Sequence, residues 1–357
     1  MKKIGNVEVY MGPQELNQPD ALGEVIINFI KKAKKALFIA VQELDSASIA
    51  KAIIEAKSRG ISVSLIMEAD YLTVQKPLND PWQLTGKNEK NREIHNALMR
   101  AKVDVKTDYN PKIFHQKFIV RDPLGAQAAV LTGSTNFTDT GTHSNLNHIV
   151  IIRGKRHAQI YLDEFKEMAT GTFGRLRLRF DAPPKTYSVS GVRIKTLFAP
   201  DHSPEMEIMK QMLKAKEQID FAIFTFAKSS GIDDTMVSLQ KSGIKVRGIF
   251  DPGQGNQKWA ATRVLASNKI KVYLAKKSPQ LNKLHHKLMV IDKQVVIAGS
   301  FNYTDPANTL NDENIIIIGD LDEKRKNSIK RQKQIGQYVY GWIDKMVKDN
   351  GKLISKP

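Results

Sequence analysis

The sequence runs one plan twice, and that repeat limits the folds open to the chain more than any other feature. IFHQKFIVRD (113–122) and KLHHKLMVID (283–292) share His115, Lys117 and Asp122 with His285, Lys287 and Asp292, 170 positions on. Gly133-Ser134-Thr135-Asn136 recurs as Gly299-Ser300-Phe301-Asn302, and Asn145-Leu146-Asn147 as Asn311-Asp312-Glu313. The gap from aspartate to glycine is four residues longer in the first copy, and the extra length falls at Pro123-Leu124-Gly125, a turn signal.

The flanking segments repeat as well. VEVYMGP (7–13) matches IKTLFAP (194–200), ALFIAVQE (36–43) matches DFAIFTFA (220–227), and ISVSLIM (61–67) matches IKVRGIF (244–250). Each copy then reaches a short strand, VDVKT (103–107) or IKVYLA (270–275), the motifs, an isoleucine-rich strand and a last helix. Strands alternating with helices predict an α/β chain with one mixed sheet per copy. The expected halves are 1–175 and 193–357, joined by a linker at 176–192 that carries Pro183-Pro184. GRLRLRF (174–180) alternates strictly, which as a strand would align Arg175, Arg177 and Arg179 on one face.

A net charge of +18 over 357 residues draws polyanions: nucleic acid, anionic lipid surfaces or polyphosphates. The absence of cysteine excludes disulfides, thiolate-bound zinc and thiol catalysis. The apolar runs are strand-sized, well below the ~18–20 residues of a membrane span. No export signal is visible in the chain as given, which leaves an exported mature form open and localisation unassigned.

On a strand, His115 and Lys117 point the same way, as do His285 and Lys287. A metal site would not set an ammonium beside each ligand histidine, whereas a phosphate site would. Two lysines with the amides of Asn136 and Asn302 suit the non-bridging oxygens of a phosphodiester. Ser134 and Ser300 fit either further hydroxyl donors to phosphate or tight-turn packing. One histidine attacking phosphorus and the other protonating the leaving oxygen requires two protonation states near one pH. His286 corresponds to Gln116, which does not titrate, and faces away from Lys287, so the working pair is His115 with His285. His143 and His148 are candidates for a substrate contact, and His95, His157 and His202 read as surface residues. Trp82 and Trp259 sit in matching loops that could rim the site.

The pattern H-x-K-x4-D-x6-G-S-x-N resembles that of the phospholipase D superfamily, the HKD phosphodiesterases. The second copy meets it residue for residue, the first with the longer gap, and the likeness spans both halves. It implies two pseudo-symmetric phospholipase D-like halves facing each other, with one active site between them, so that a monomer suffices. It implies hydrolysis or exchange of phosphodiesters through a covalent phosphohistidine, with no metal or other cofactor. It makes His115, Lys117, Asp122, His285, Lys287 and Asp292 the motif residues, with the aspartates expected to brace the fold away from phosphorus. An acidic residue after the G-S-x-N segment orients each histidine in such proteins; Glu313 fits for the second copy, and the first has Asn147. Read copy by copy, Glu313 favours the proton-bearing form of His285, making His285 the general acid and His115 the nucleophile. The expected substrate is nucleic acid, cleaved with low sequence specificity. The alternatives are phospholipid head groups, as in a phospholipase D or phosphatidyltransferase, and a non-catalytic nucleic-acid-binding module.

Overall fold

Ile315 to Ile318 are buried on both faces of their strand, which explains an unbroken apolar run where a half-exposed strand would alternate. Ile315 and Ile317 pack into the outer core of the second half, and Ile316 and Ile318 into the seam between halves. The matching strand Asn145–Arg153 divides in the same way, with Ile149 and Ile151 facing out and Val150 and Ile152 facing the seam. Each such side chain contributes about 1.5–3 kcal/mol by leaving water.

The computed structural model describes residues 1–73, 79–176 and 182–354. The first sheet has the order Val7–Gly12, Asn145–Arg153, Ala129–Gly133, Lys117–Arg121, Ala36–Val41, Ser62–Met67, Asp104–Thr107. The second has the order Val192–Ala199, Glu313–Ile318, Val295–Gly299, Lys287–Ile291, Gln218–Ile223, Lys245–Phe250, Lys271–Ala275. Over these seven strands the two orders coincide, so the sequence repeat is a repeat of topology; Lys2–Ile4 extends the first sheet beside Val7–Gly12, and Gly351–Leu353 extends the second beside Lys271–Ala275. In both sheets the last three of these strands run parallel to one another and the other pairings among the seven are antiparallel, which makes each sheet mixed. Parallel neighbours need crossovers, and helices such as Ala47–Ser58 and Gly231–Lys241 supply them.

Helices Leu22–Lys31, Ala47–Ser58 and Glu89–Arg100 cover the outer face of the first sheet, and Pro204–Met212, Gly231–Lys241 and Thr262–Ser267 that of the second. The inner faces are filled by Lys155–Ala169, through Tyr161, Leu162 and Phe165, and by Lys326–Asn350, through Ile335, Val339 and Ile343. Between them Val7, Val9 and Val150 of the first half meet Val192, Ile194 and Ile316 of the second in one apolar seam. Among the described residues no helix is long and apolar enough to cross a membrane.

Two expectations change. Tyr187–Val189, inside the stretch read as linker, is the edge strand of the second sheet. Gly174–Leu176 is a turn of 3-10 helix rather than the start of a strand, and Arg177 and Arg179 lie outside the described residues.

Candidate active site

Each histidine segment leaves its own half and pairs with the opposite one. His115 N–H donates to Asp312 O at 2.9 Å, and His285 N–H donates to Leu146 O at 2.9 Å. Lys283–Leu284 runs parallel to Asn145–Leu146 as an added strand of the first sheet, and Phe114 bridges Asp312 in the same sense. These short pairings cross the side-chain partners as well. His115 Nδ1 lies 2.7 Å from Glu313 Oε2, and His285 Nδ1 lies 3.1 Å from Asn147 Oδ1. The copy-by-copy assignment of Glu313 to His285 is therefore corrected, and with it the expectation that a carboxylate partner makes His285 the proton-bearing ring, because each orienting residue sits on the strand that faces the other half's histidine.

The serine hydroxyls are committed to the same function. Ser300 Oγ donates to Glu313 Oε2 at 2.5 Å, and Ser134 Oγ donates to Asn147 Oδ1 at 2.7 Å. Both serines are fully buried and hold the orienting residues. The glycine before each serine is required by crowding: a Cβ would come 2.2 Å from His148 O at Gly133 and 2.3 Å from Asn314 O at Gly299. Asn147 Nδ2 donates to Gly141 O at 2.8 Å, which fixes Oδ1 as the acceptor facing His285.

Asp122 and Asp292 stand away from the site, as expected. Asp122 accepts from the backbone N–H groups of Lys34, Lys35 and Ala36 at 2.9, 2.7 and 2.9 Å. Asp292 does the same for Lys216, Glu217 and Gln218 at 2.7, 2.9 and 2.9 Å. Each pins the start of the central strand beside its motif strand, so the third letter of the motif is a brace rather than a catalytic group.

A cleft of about 360 Å³ opens onto both histidines and is lined by Asn136 and Asn302. His115 and His285 are 7% and 8% exposed, and both line the cleft. The lysines lie beneath it. Lys117 Nζ donates to His115 O at 2.8 Å and Gln42 Oε1 at 3.2 Å, and Lys287 Nζ donates to His285 O at 3.0 Å. Lys287 also lies over the Phe224 ring, 4.9 Å from its centroid. Asn136 Nδ2 is engaged by Gln42 and Glu43, whereas Asn302 turns its Oδ1 to Thr225 N–H and leaves its amide hydrogens for a ligand.

Burial strips charge from this cluster. It pushes Lys117 down to about 7, and together with the Lys117 ammonium it holds Lys287 well below the usual lysine range. Burial also lowers both histidines, aided by both lysines, and pushes Glu313 up to about 8 against the pull of Lys117. An anion in the cleft would raise both lysines again by supplying a counter-charge.

Sequence reasoning passed over Glu68 and Asp251. They follow the third strand of each half, and their carboxylates accept from Phe114 N–H at 2.6 Å and Leu284 N–H at 3.1 Å, anchoring the residue before each histidine. Their equivalent places in the repeat were the available signal. His148 is no substrate contact: it is buried and stacked on His286, with Nδ1 atoms 3.2 Å apart. His157 is buried too, bonded to the Tyr187 hydroxyl. Trp82 is exposed, and Trp259 partly so.

A profile of the PLD-like domain of cardiolipin synthase matches residues 26–169 and 208–331, more than half of the chain and parts of both halves. The chain belongs to the phospholipase D superfamily. Among curated phospholipase D-like relatives, phospholipase D of Rickettsia conorii is 30% identical over 147 residues, which is 41% of this chain and 64% of that protein, just under two thirds of its length. The mitochondrial cardiolipin hydrolase of Chlamydomonas reinhardtii is 26% identical over 163 residues, covering 39% of this chain and 71% of the relative. The phosphatidylserine synthase of Haemophilus influenzae has the same fold, with a TM-score of 0.66 at 13% identity, over 98% of this chain and 88% of the synthase. The phospholipase D-like plan therefore runs through both halves.

Proposed function

We propose that the chain is a phosphodiesterase that works through a phosphohistidine on His115, with nucleic acid as its substrate. The carrying observation is the crossed pair of histidines over two buried lysines. His115 Nδ1 is held by Glu313, which leaves Nε2 with its lone pair for attack; the positive ring that attack creates draws Glu313 to its ionised form, which stabilises the ring in turn. His285 is held by a neutral amide, so its imidazolium gives up a proton more readily than one paired to a carboxylate.

In the first step the His115 Nε2–P bond forms and the P–O bond to the leaving group breaks. His285 Nε2–H passes its proton to the departing oxygen. In the second, His285 takes a proton from water, the water oxygen bonds to phosphorus, and the N–P bond breaks to release a phosphate monoester. Lys117, Lys287 and the Asn302 amide hold the non-bridging oxygens throughout. Two ammonium groups thus supply the charge that a divalent metal gives in other phosphoryl-transfer sites.

The net charge of +18 favours nucleic acid. Phospholipid is the second reading, favoured by relatives named phospholipase D and mitochondrial cardiolipin hydrolase. Single- and double-stranded DNA, RNA, phosphatidylcholine and cardiolipin, each with excess EDTA, separate the two. Cleavage of nucleic acid that survives EDTA and vanishes in His115→Ala supports the first reading. Phospholipid turnover with intact nucleic acid overturns it. A label trapped on His285 instead of His115 overturns the assignment of roles.

A further inference from the structure

The catalytic cleft continues into two more cavities, and both lie on the second half. The middle one, about 460 Å³, shares Phe224 and Lys283 with the catalytic cleft. The outer one, about 550 Å³, shares Pro252, Lys276 and Lys277 with the middle one. The result is one open groove that leaves the reacting centre past the Phe224 ring. Along it stand Lys283, Lys276, Lys277, Arg263 and Lys352, all exposed. Among the described residues none of the five is held in a salt bridge. The one carboxylate on the groove wall is Asp251, and both its oxygens are occupied by backbone N–H groups of Gly253, Gln254 and Leu284.

The first-half side of the cleft carries a carboxyl instead of a row of cations among the described residues. There the first half offers Glu43, with Asp45 close enough to repel it. Among the described residues the two sides of the cleft thus differ in charge.

We propose that this groove is a one-sided track for single-stranded nucleic acid, binding the phosphates on one side of the scissile bond and leaving the other side uncontacted. The proposal rests on the phosphodiesterase reading above and adds the form and direction of the substrate. A phospholipid brings a single phosphodiester to the histidines and leaves five further cations idle. A repeating phosphodiester uses them in series. A duplex carries its phosphates on the outside of a stiff cylinder, which cannot descend to histidines 7% and 8% exposed, whereas a single strand can.

The test uses the full chain and three kinds of probe. Bis(p-nitrophenyl) phosphate reaches the histidines but not the groove. Oligonucleotides with one cleavable phosphodiester are lengthened either 5′ or 3′ of that bond. Cardiolipin vesicles and polyphosphate serve as rival anions. For the wild type, KM falls as the oligonucleotide grows on one side only, then levels off. Lys276→Glu/Lys277→Glu, and separately Arg263→Gln/Lys352→Gln, raise KM for the long substrate at least tenfold. Both leave turnover of the small diester and the melting temperature unchanged. The slope of log affinity against log salt drops by about 0.7 for each cation removed.

Equal gains on both sides of the bond, or an unchanged KM in both variants, overturn the track while leaving a nuclease. Binding to the His115→Asn protein that depends on Lys276 and Lys277, without cleavage by the wild type, keeps the track and overturns the nuclease reading. Charge-reversal effects seen with cardiolipin vesicles or polyphosphate but not with oligonucleotides overturn the proposed occupant.

Discussion

His115 and Glu313, 198 residues apart in the chain and on opposite sheets, are joined by a 2.7 Å contact from Nδ1 to Oε2. The nucleophile proposed in one half is therefore oriented by the other half. Glu313→Gln keeps the shape and removes the charge. It is expected to lower kcat for bis(p-nitrophenyl) phosphate about 10²–10³-fold, with little change in KM. Ser300→Ala, which frees Glu313 from its only serine contact, should lower kcat by less. A rise in KM instead would return Ser300 to the phosphate-binding groups.

Anion binding should take up protons. Lys117 is pushed down to about 7 and Lys287 well below its usual range, both chiefly through burial. Each must be charged when an anion is bound. Affinity for tungstate, a phosphate mimic, should fall as pH rises above about 7, by up to tenfold per unit for each lysine recharged. Calorimetry in two buffers of different ionisation enthalpy reads this uptake directly. No proton uptake at pH 8 would mean that the lysines are already charged in the free protein.

The motif aspartates should affect stability and not chemistry. Asp122→Ala strips three backbone N–H groups of their acceptor and puts alanine at a φ of 47°. The expected loss is about 2–4 kcal/mol in urea unfolding. The folded fraction should keep its kcat, and a large fall in kcat per folded molecule would contradict the bracing role.

The stacked pair His148 and His286 should make the protein sensitive to acid. Gly299 N–H donates to His148 Nε2, so His148 carries its hydrogen on Nδ1 and donates to His286 Nδ1. A second proton on either ring faces another donor. Burial pushes His148 down to about 3 and His286 well below its ordinary value. The unfolded chain takes up these protons near pH 6.5, so stability is intact above that pH. It falls by about 1.4 kcal/mol per unit per histidine below it, for His148 until about pH 3. The symmetry-related pair is Asn314 and Gln116, bonded at 2.7 Å. His148→Asn/His286→Gln copies that pair into the other half and should flatten the acid limb of urea stability. An unchanged limb would assign the acid sensitivity to other buried histidines.

The repeat made much of this visible in the sequence. Matching the copies brought out the succession of strands and helices, the two histidines, the two lysines and the bracing aspartates, because those depend on topology within a half. It could not tell which half each orienting residue faces. That depends on Phe114 meeting Asp312 and on Lys283–Leu284 meeting Asn145–Leu146, contacts of one or two residues with no periodicity to read. Tyr187–Val189 was missed for the same reason, since three residues carry too little alternation to mark a strand. His148 looked like a free polar group because burial by a partner half leaves no trace in local sequence. Glu68 and Asp251 were hidden by being different residue types in equivalent places.

The crossed orientation of the histidines also bears on what joining the copies made possible. Two identical subunits would hand each histidine the same partner, and any substitution would appear twice. With both copies in one chain, Asn147 and Glu313 vary independently, and here one is an amide and the other an ionisable carboxyl. Covalent linkage thus allows the two imidazoles to specialise, one tuned by a carboxylate and the other by an amide, a division that strict twofold symmetry forbids.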